Sequence, residues 1–206
     1  MKNALRLILW ILVPILAGCT NTTPIPVGDG SVGYEPPVQF KDDAPANSTL
    51  AEFPRTFVDV DGNVVNLAKY AGRKVLLVVL RGMPRSEGGA FCPSCLAQAG
   101  GLMANRVEFE NRGVEVLVLF PGPSERIGEF VEIARRQTTG EPPKSFRLLL
   151  DSDLSVCERL SIRADLAKPS TYVLDTSGNV TYAYVGETST DRPSVKAVLG
   201  QLDRAK

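Results

Sequence analysis

Two kinds of apolar pattern alternate along this chain. Lys74–Leu80 (KVLLVVL) and Val114–Phe120 (VEVLVLF) are apolar on both sides of the chain for the length of a strand. A half-exposed strand would alternate, so these runs predict strands covered on both faces. Pro93 to about Arg112 and Ser124–Arg136 carry helical spacing instead. In the second, Ile127, Phe130, Val131 and Ala134 fall on one stripe, and Ser124 is placed to cap it. A short strand at Arg147–Leu150 and a helix from Asp153 to about Leu160 follow. Near the front, Thr56–Val60 and Val64–Leu67 flank Asp61-Gly62-Asn63, a hairpin signal. Near the end, Thr171–Leu174 and Val180–Val185 flank a turn at Asp175-Thr176-Ser177-Gly178-Asn179, and Pro193 opens a last helix reaching Ala205. The order ββ, then β-α-β-α-β-α-β-β-α, predicts parallel crossovers followed by an antiparallel hairpin. That is an α/β domain with a mixed central sheet and helices on both faces.

The residues before Ala51 break this pattern. Lys2 and Arg6 precede an apolar run, Leu7–Leu16, that is interrupted only by Pro14. The run is too short to span a hydrocarbon core of about 30 Å with ease. It fits the apolar region of a secretory signal. It ends in Leu16-Ala17-Gly18-Cys19, which resembles the lipobox of bacterial lipoproteins. That resemblance implies cleavage before Cys19 and lipid on its sulfur; two or three acyl chains hold a membrane stably where one is marginal. A plain N-terminal membrane anchor is the alternative. Thr20, read by resemblance to enterobacterial sorting, favours the outer over the inner membrane. Thr20 to about Leu50 holds Pro24, Pro26, Pro36, Pro37 and Pro45 among many polar residues. Such a segment buries too little to offset its ordering entropy and reads as a tether, unless Val38-Gln39-Phe40 adds an edge strand. The expected organisation is a signal over residues 1–18, a lipidated Cys19 and tether over 19–50, and the globular domain over 51–206. The expected location is the cell envelope, on its periplasmic face, where disulfides persist.

Composition narrows the chemistry. The 206 residues carry 23 basic and 23 acidic side chains. Loss of Lys2 and Arg6 leaves 21 against 23, and neither balance suggests nucleic acid. There is no histidine. That excludes Ser-His-Asp and Cys-His nucleophiles and every imidazole metal site. No metal and no cofactor is expected.

The remaining chemistry centres on Cys92-Pro93-Ser94-Cys95, which follows a buried strand and a loop at the start of a helix. A helix N-terminus presents free N–H groups and partial positive charge. A thiolate there is stabilised and its pKa falls. Pro93 suits the first helical position, where its missing N–H costs nothing. Cys92 is the expected nucleophile and Cys95, one turn on and facing the sheet, the expected resolving thiol.

With Lys168-Pro169-Ser170-Thr171-Tyr172-Val173-Leu174-Asp175 and Ser177-Gly178-Asn179, the chain resembles the thioredoxin fold from about residue 50 to 206. The resemblance implies a three-layer α/β/α domain with an N-terminal hairpin extension. It implies a cis-proline at Pro169 opposite Cys92. Within that fold the chain is similar to the redoxin group, which holds the alkyl hydroperoxide reductase/thiol-specific antioxidant (peroxiredoxin) family and the TlpA/ResA-like reductases. Leu80-Arg81-Gly82 ahead of Phe91-Cys92-Pro93-Ser94-Cys95 resembles peroxiredoxin-like members, with Met83–Ala90 inserted between. Peroxiredoxins place Pro and Thr/Ser at set distances before the attacking cysteine. Those positions hold Arg85 and Gly89 counted from Cys92, or Gly88 and Cys92 counted from Cys95. Ser86 or Ser94 would have to substitute for the missing hydroxyl.

Disulfide exchange in the envelope, with protein thiols and disulfides as partners, is therefore the expected activity. Peroxide reduction with antioxidant activity is the first alternative, and a lipoprotein with a static disulfide the second. Arg81 is expected either to lower the thiolate pKa or to pair with Glu87. Cys157 shares a helix face with Leu154 and Leu160 and reads as core, with a second resolving thiol as the sharper reading. Gly100-Gly101 marks close packing on the sheet or a weak point in the active-site helix.

Overall fold

The computed structural model describes residues 38–50, 52–82, 89–136 and 146–205. The signal segment, Cys19, most of the expected tether, and Arg85, Ser86, Glu87 and Gly88 lie outside the described residues.

The strands are β1 (Thr56–Asp59), β2 (Val64–Asn66), β3 (Val75–Val79), β4 (Glu115–Pro121), β5 (Phe146–Asp151), β6 (Ser170–Leu174) and β7 (Val180–Val185). They form one sheet in the order β2-β1-β5-β4-β3-β6-β7. The two runs apolar on both sides are the adjacent central strands β3 and β4. They pair in parallel, with Val75 opposite Glu115 and Val79 opposite Leu119. On its other side β3 meets β6 antiparallel, with Val79 opposite Ser170. The early hairpin joins the sheet through β1, antiparallel to β5.

The helices are α1 (Pro93–Ala104), α2 (Arg106–Asn111), α3 (Ile127–Arg136), α4 (Ser155–Arg159) and α5 (Val195–Arg204), with a 3₁₀ turn at Leu67–Tyr70. They divide unequally between the faces. One core joins Leu76, Val78 and Leu80 of the β3 strand and its exit to Leu102, Phe109, Phe130 and Leu202, from α1, α2, α3 and α5. The other joins Val75, Leu77 and Val79 to Phe53, Phe57, Leu154, Cys157 and Leu160. Period-two alternation along one strand thus separates two cores.

Three local expectations are corrected. The helix expected from Pro93 to Arg112 is broken at Asn105, whose backbone N–H and side-chain amide both donate to the Gly101 carbonyl. That closes α1 four residues past the glycine pair, which lies inside an unbroken helix. Ser124 contributes its carbonyl, accepting from Ile127 N–H at 3.1 Å, so α3 starts three residues after the expected cap. Ser194 caps α5 with its hydroxyl on Ala197 N–H, leaving Pro193 just ahead of the helix.

The segment expected to be tether up to Leu50 packs against the domain from Lys41 onward. Edge strand β7 has an unpaired side, and the Asn47 side chain fills it. Its amide donates to Val185 O at 2.9 Å and accepts from Val185 N–H at 2.8 Å. Ala44 is buried and its carbonyl accepts from Tyr182 Oη at 2.8 Å. Lys41 exchanges backbone hydrogen bonds with Arg192 and Ser194, which straps the chain across the entry to α5.

Candidate active site

The chain leaves β3 at Arg81-Gly82 and returns at Gly89 to enter α1. Gly82 sits at φ +94°, and a Cβ there would run into the Pro121 carbonyl. A side chain at this position would push the ends of β3 and β4 apart, so the tight exit needs glycine.

Cys92 is the N-cap of α1, in extended conformation at φ −60°, ψ 117°, with Pro93 at the first helical position. Its carbonyl accepts from Cys95 N–H at 3.0 Å and Leu96 N–H at 3.1 Å. Cys92 is half-buried, Cys95 is 2% exposed, and both are free thiols. The Cys95 thiol donates to Cys92 Sγ, and this is the largest cause lowering the Cys92 pKa to about 5. Burial works against it. The N–H groups of Cys95 and Ser94 and the charge of Arg192 add to the lowering. The same thiol–thiolate hydrogen bond, with burial, pushes Cys95 well up. The pair therefore holds one negative charge, on the more accessible sulfur, and one proton, on the buried sulfur.

Arg192, from the loop between β7 and α5, completes the site. It is 1% exposed. Its Nε donates to Ser189 O at 2.7 Å, one terminal nitrogen donates to Gln98 Oε1, and Nη2 lies 3.2 Å from Cys95 Sγ. Its loop is held from outside by Lys41, 2.7 Å from Asp191. Burial alone would raise the Asp191 pKa; hydrogen bonds from the Lys41 ammonium and the Tyr184 hydroxyl overcome that and hold it near about 2. Gly186 allows the close approach, because a Cβ there would collide with the Asp191 carbonyl.

Phe91 is buried against Phe130, ring centroids 5.6 Å apart, and the Arg126 guanidinium stacks over it at 4.3 Å. Arg126 also donates to Gly89 O, fixing the approach to Cys92.

The remaining expected site residues are placed as follows. Pro93 takes its expected position. Pro169 lies at the right end of the sheet, just before Ser170, the residue opposite Val79. Its peptide bond is trans, correcting the expected cis form. In this conformation its carbonyl accepts from Gly186 N–H at 2.8 Å and extends the β6–β7 ladder. Arg81 is exposed; its carbonyl accepts from Ala167 N–H at 2.9 Å, and the guanidinium that reaches the thiols belongs to Arg192 instead. Cys157 sits fully buried in the opposite core. Burial, with the neighbouring Asp151 carboxylate, pushes its thiol up. Among the described residues no group of three His, Cys, Asp or Glu side chains is placed to hold a metal ion.

Sequence reasoning missed Arg192, Gln98 and Arg126. Arg192 lies 97 positions from Cys95 in a loop without periodicity. An arginine directly before the proline that lies ahead of the last helix was the sole hint.

An N-cap cysteine over a buried partner, at the end of a central parallel strand pair, defines a thioredoxin-like α/β protein. The Redoxin family matches residues 40–199, and the chain belongs to that family. Peroxiredoxin Bcp of Escherichia coli is 33% identical over 104 residues, half of this chain and 57% of the relative. The chain thus spans little more than half the length of the curated relatives that it matches. Peroxiredoxin 6 of Arenicola marina shares the fold, with TM-score 0.62 and 15% identity over 76% of this chain and 73% of that one. So does a secreted Mycobacterium tuberculosis disulfide oxidoreductase homologous to E. coli DsbE, with TM-score 0.52 and 18% identity over 72% and 94%. Both arginine-held edges of the site, Gly89 and Arg192, fall within the matched residues.

Proposed function

We propose that this chain is a thiol–disulfide oxidoreductase, with Cys92 as nucleophile and Cys95 as resolving thiol. One observation carries the reading: two free thiols sit one helical turn apart at the start of α1, Cys92 half-buried at the N-cap and Cys95 buried beneath it, which favours a thiolate on Cys92 and a protonated Cys95. That division suits attack by Cys92 on an incoming disulfide, followed by closure of Cys92 with Cys95. A static structural disulfide needs neither the depressed pKa nor a buried guanidinium. Protein thiols and disulfides are the proposed partners. The proposed setting is the cell envelope, with Cys19 lipidated and residues 20–40 tethering the domain to the outer membrane. The sequence signal at Leu16-Ala17-Gly18-Cys19 supports it. No helix among the described residues is long and apolar enough to cross a membrane.

Peroxide reduction is the second reading, favoured by the match to peroxiredoxin Bcp. The same Cys92 thiolate would attack a peroxide oxygen, yielding a sulfenic acid and an alcohol or water. Cys95 would then displace water to form the disulfide.

The test mixes reduced protein with one equivalent of hydrogen peroxide, or of a protein disulfide, and follows the Cys92–Cys95 bond by mass spectrometry. Fast closure with the disulfide and slow closure with peroxide is expected. Closure with micromolar peroxide in seconds would move the assignment to the peroxidase. A pair that closes with neither would overturn both. Cys19→Ser is expected to shift the protein from the membrane to the soluble fraction; unchanged fractionation removes the anchor.

A further inference from the structure

Arg192 is a cation in an unusual position. It is 1% exposed, yet among the described residues no carboxylate lies within ion-pair distance of it. Its neighbour Asp191 turns the other way, to Lys41, Tyr184 and the Glu187 N–H. The contacts of Arg192 are two neutral oxygens, Ser189 O and Gln98 Oε1, and one ionisable atom, Cys95 Sγ at 3.2 Å. A buried charge without a counter-charge is costly and persists where something repays it. The ionisable groups bearing on Cys95 are Cys92 and Arg192. Cys157 is on the other face of the sheet.

Resting protein does not use this arrangement fully, because the negative charge sits on Cys92 and Cys95 keeps its proton. The arrangement becomes useful once Cys92 has reacted. Cys92 is then neutral, held in a mixed disulfide, and no longer accepts the Cys95 proton. Cys95 must ionise in a site that is 2% exposed, where desolvation opposes ionisation. We infer that Arg192 is a catalytic residue of the resolving step, stabilising Cys95 as a thiolate while it closes on Cys92. The inference rests on the thiol–disulfide reading above.

The steps balance as follows. The Cys92 thiolate attacks a substrate RS–SR; the Cys92–SR bond forms, the S–S bond breaks and one RS⁻ leaves. Cys95 then loses its proton to solvent, and its thiolate, beside Arg192, attacks Cys92 Sγ. The Cys92–Cys95 bond forms, the Cys92–SR bond breaks and the second RS⁻ leaves. Two protein sulfurs are oxidised to a disulfide, and RSSR is reduced to two thiolates. The Lys41–Asp191 pair and the close approach at Gly186 hold the arginine's loop in place.

The aromatic disulfide dithiobis(nitrobenzoate) separates the two steps, since each releases one coloured thiolate. The full-length chain carries Cys19→Ser and Cys157→Ala, in detergent, so that the site pair alone reports. The parent is expected to release two thiolates, the second rapidly. Arg192→Met is expected to keep the first release within about threefold and slow the second by about tenfold or more. The pH inflection of the second phase should rise, and the mixed disulfide should accumulate in intact-mass spectra. Arg192→Lys should restore much of the second phase. Should Arg192→Met fail to fold by circular dichroism, Arg192→Gln removes the charge with less loss of hydrogen bonding and carries the same expectation. A second release as fast as the parent's, or equal slowing of both with no change in the pH inflection, overturns the role of Arg192. A parent that releases no thiolate overturns the exchange reading itself.

Discussion

Cys95 and Cys157 are both nearly inaccessible, and they lie on opposite faces of the same sheet. Cys95 has a thiolate partner above it and a guanidinium beside it. Cys157 has the Asp151 carboxylate, which already accepts from the Val156 and Cys157 N–H groups at 3.0 and 2.8 Å. A nearby cation makes a buried thiolate attainable, and a nearby anion forbids it. Burial alone thus does not distinguish the two cysteines; the guanidinium beside Cys95 and the carboxylate beside Cys157 do.

The strongest test of this contrast exchanges the two faces. Cys92→Ser is expected to abolish disulfide exchange, a loss of at least about 10³-fold, whereas Cys157→Ala leaves it within about twofold. A comparable loss from Cys157→Ala, measured as turnover with a protein disulfide, would make Cys157 a third redox thiol and break the contrast.

The pH dependence comes next. Alkylation of reduced protein by iodoacetamide should rise with an inflection near about 5, against the ordinary thiol value of 9.0. A rate still climbing through alkaline pH would place the charge elsewhere. The sign for stability follows. A depressed thiol pKa contributes stability to the reduced fold that is fully present above about 9 and lost as pH falls toward about 5. The melting temperature of reduced protein should therefore drop relative to oxidised protein across that window. An unchanged difference would contradict the thiolate assignment.

Stabilising the thiolate stabilises the reduced state. The Cys92–Cys95 couple is therefore expected above about −300 mV, outside the range of structural disulfides. Equilibration with glutathione buffers measures it; a lower value would return the pair to a structural role.

The smallest effects are on stability. Gly82→Ala forces a left-handed residue and a clash with Pro121 and should cost about 1–3 kcal/mol by chemical denaturation. Cys157→Ala should cost about 1 kcal/mol by leaving a small cavity, without moving the redox potential. A Gly82→Ala protein as stable as its parent would show that the β3 exit is not fixed as drawn.

The strand pattern of β3 and β4, the two hairpins and the placement of Cys92 at a helix start were legible because each is a local property. Periodicity, turn residues and an N-terminal proline act over a few positions. The break at Asn105 was not legible, since Gly100-Gly101 offered the more obvious weak point. The start of the domain was also obscured. Lys41, Ala44 and Asn47 carry no periodic signal, and they are ordered by an edge strand and a loop more than 130 positions away. Pro169 was placed at the end of the sheet beside β3 by its motif, but its trans peptide bond was not legible from that motif.

The sequence by itself determined which chemistry was possible. Without histidine, and with two cysteines one helical turn apart at an N-terminus, a thiol site was the reading with the fewest missing parts. Tertiary structure decided how the two sulfurs differ. That depends on which charges are brought within a few ångströms in a low-dielectric interior, where Coulomb interactions are strong. Arg192 meets Cys95, and Asp151 meets Cys157, because a sheet with two cores folds distant loops onto opposite faces. No local pattern encodes that pairing.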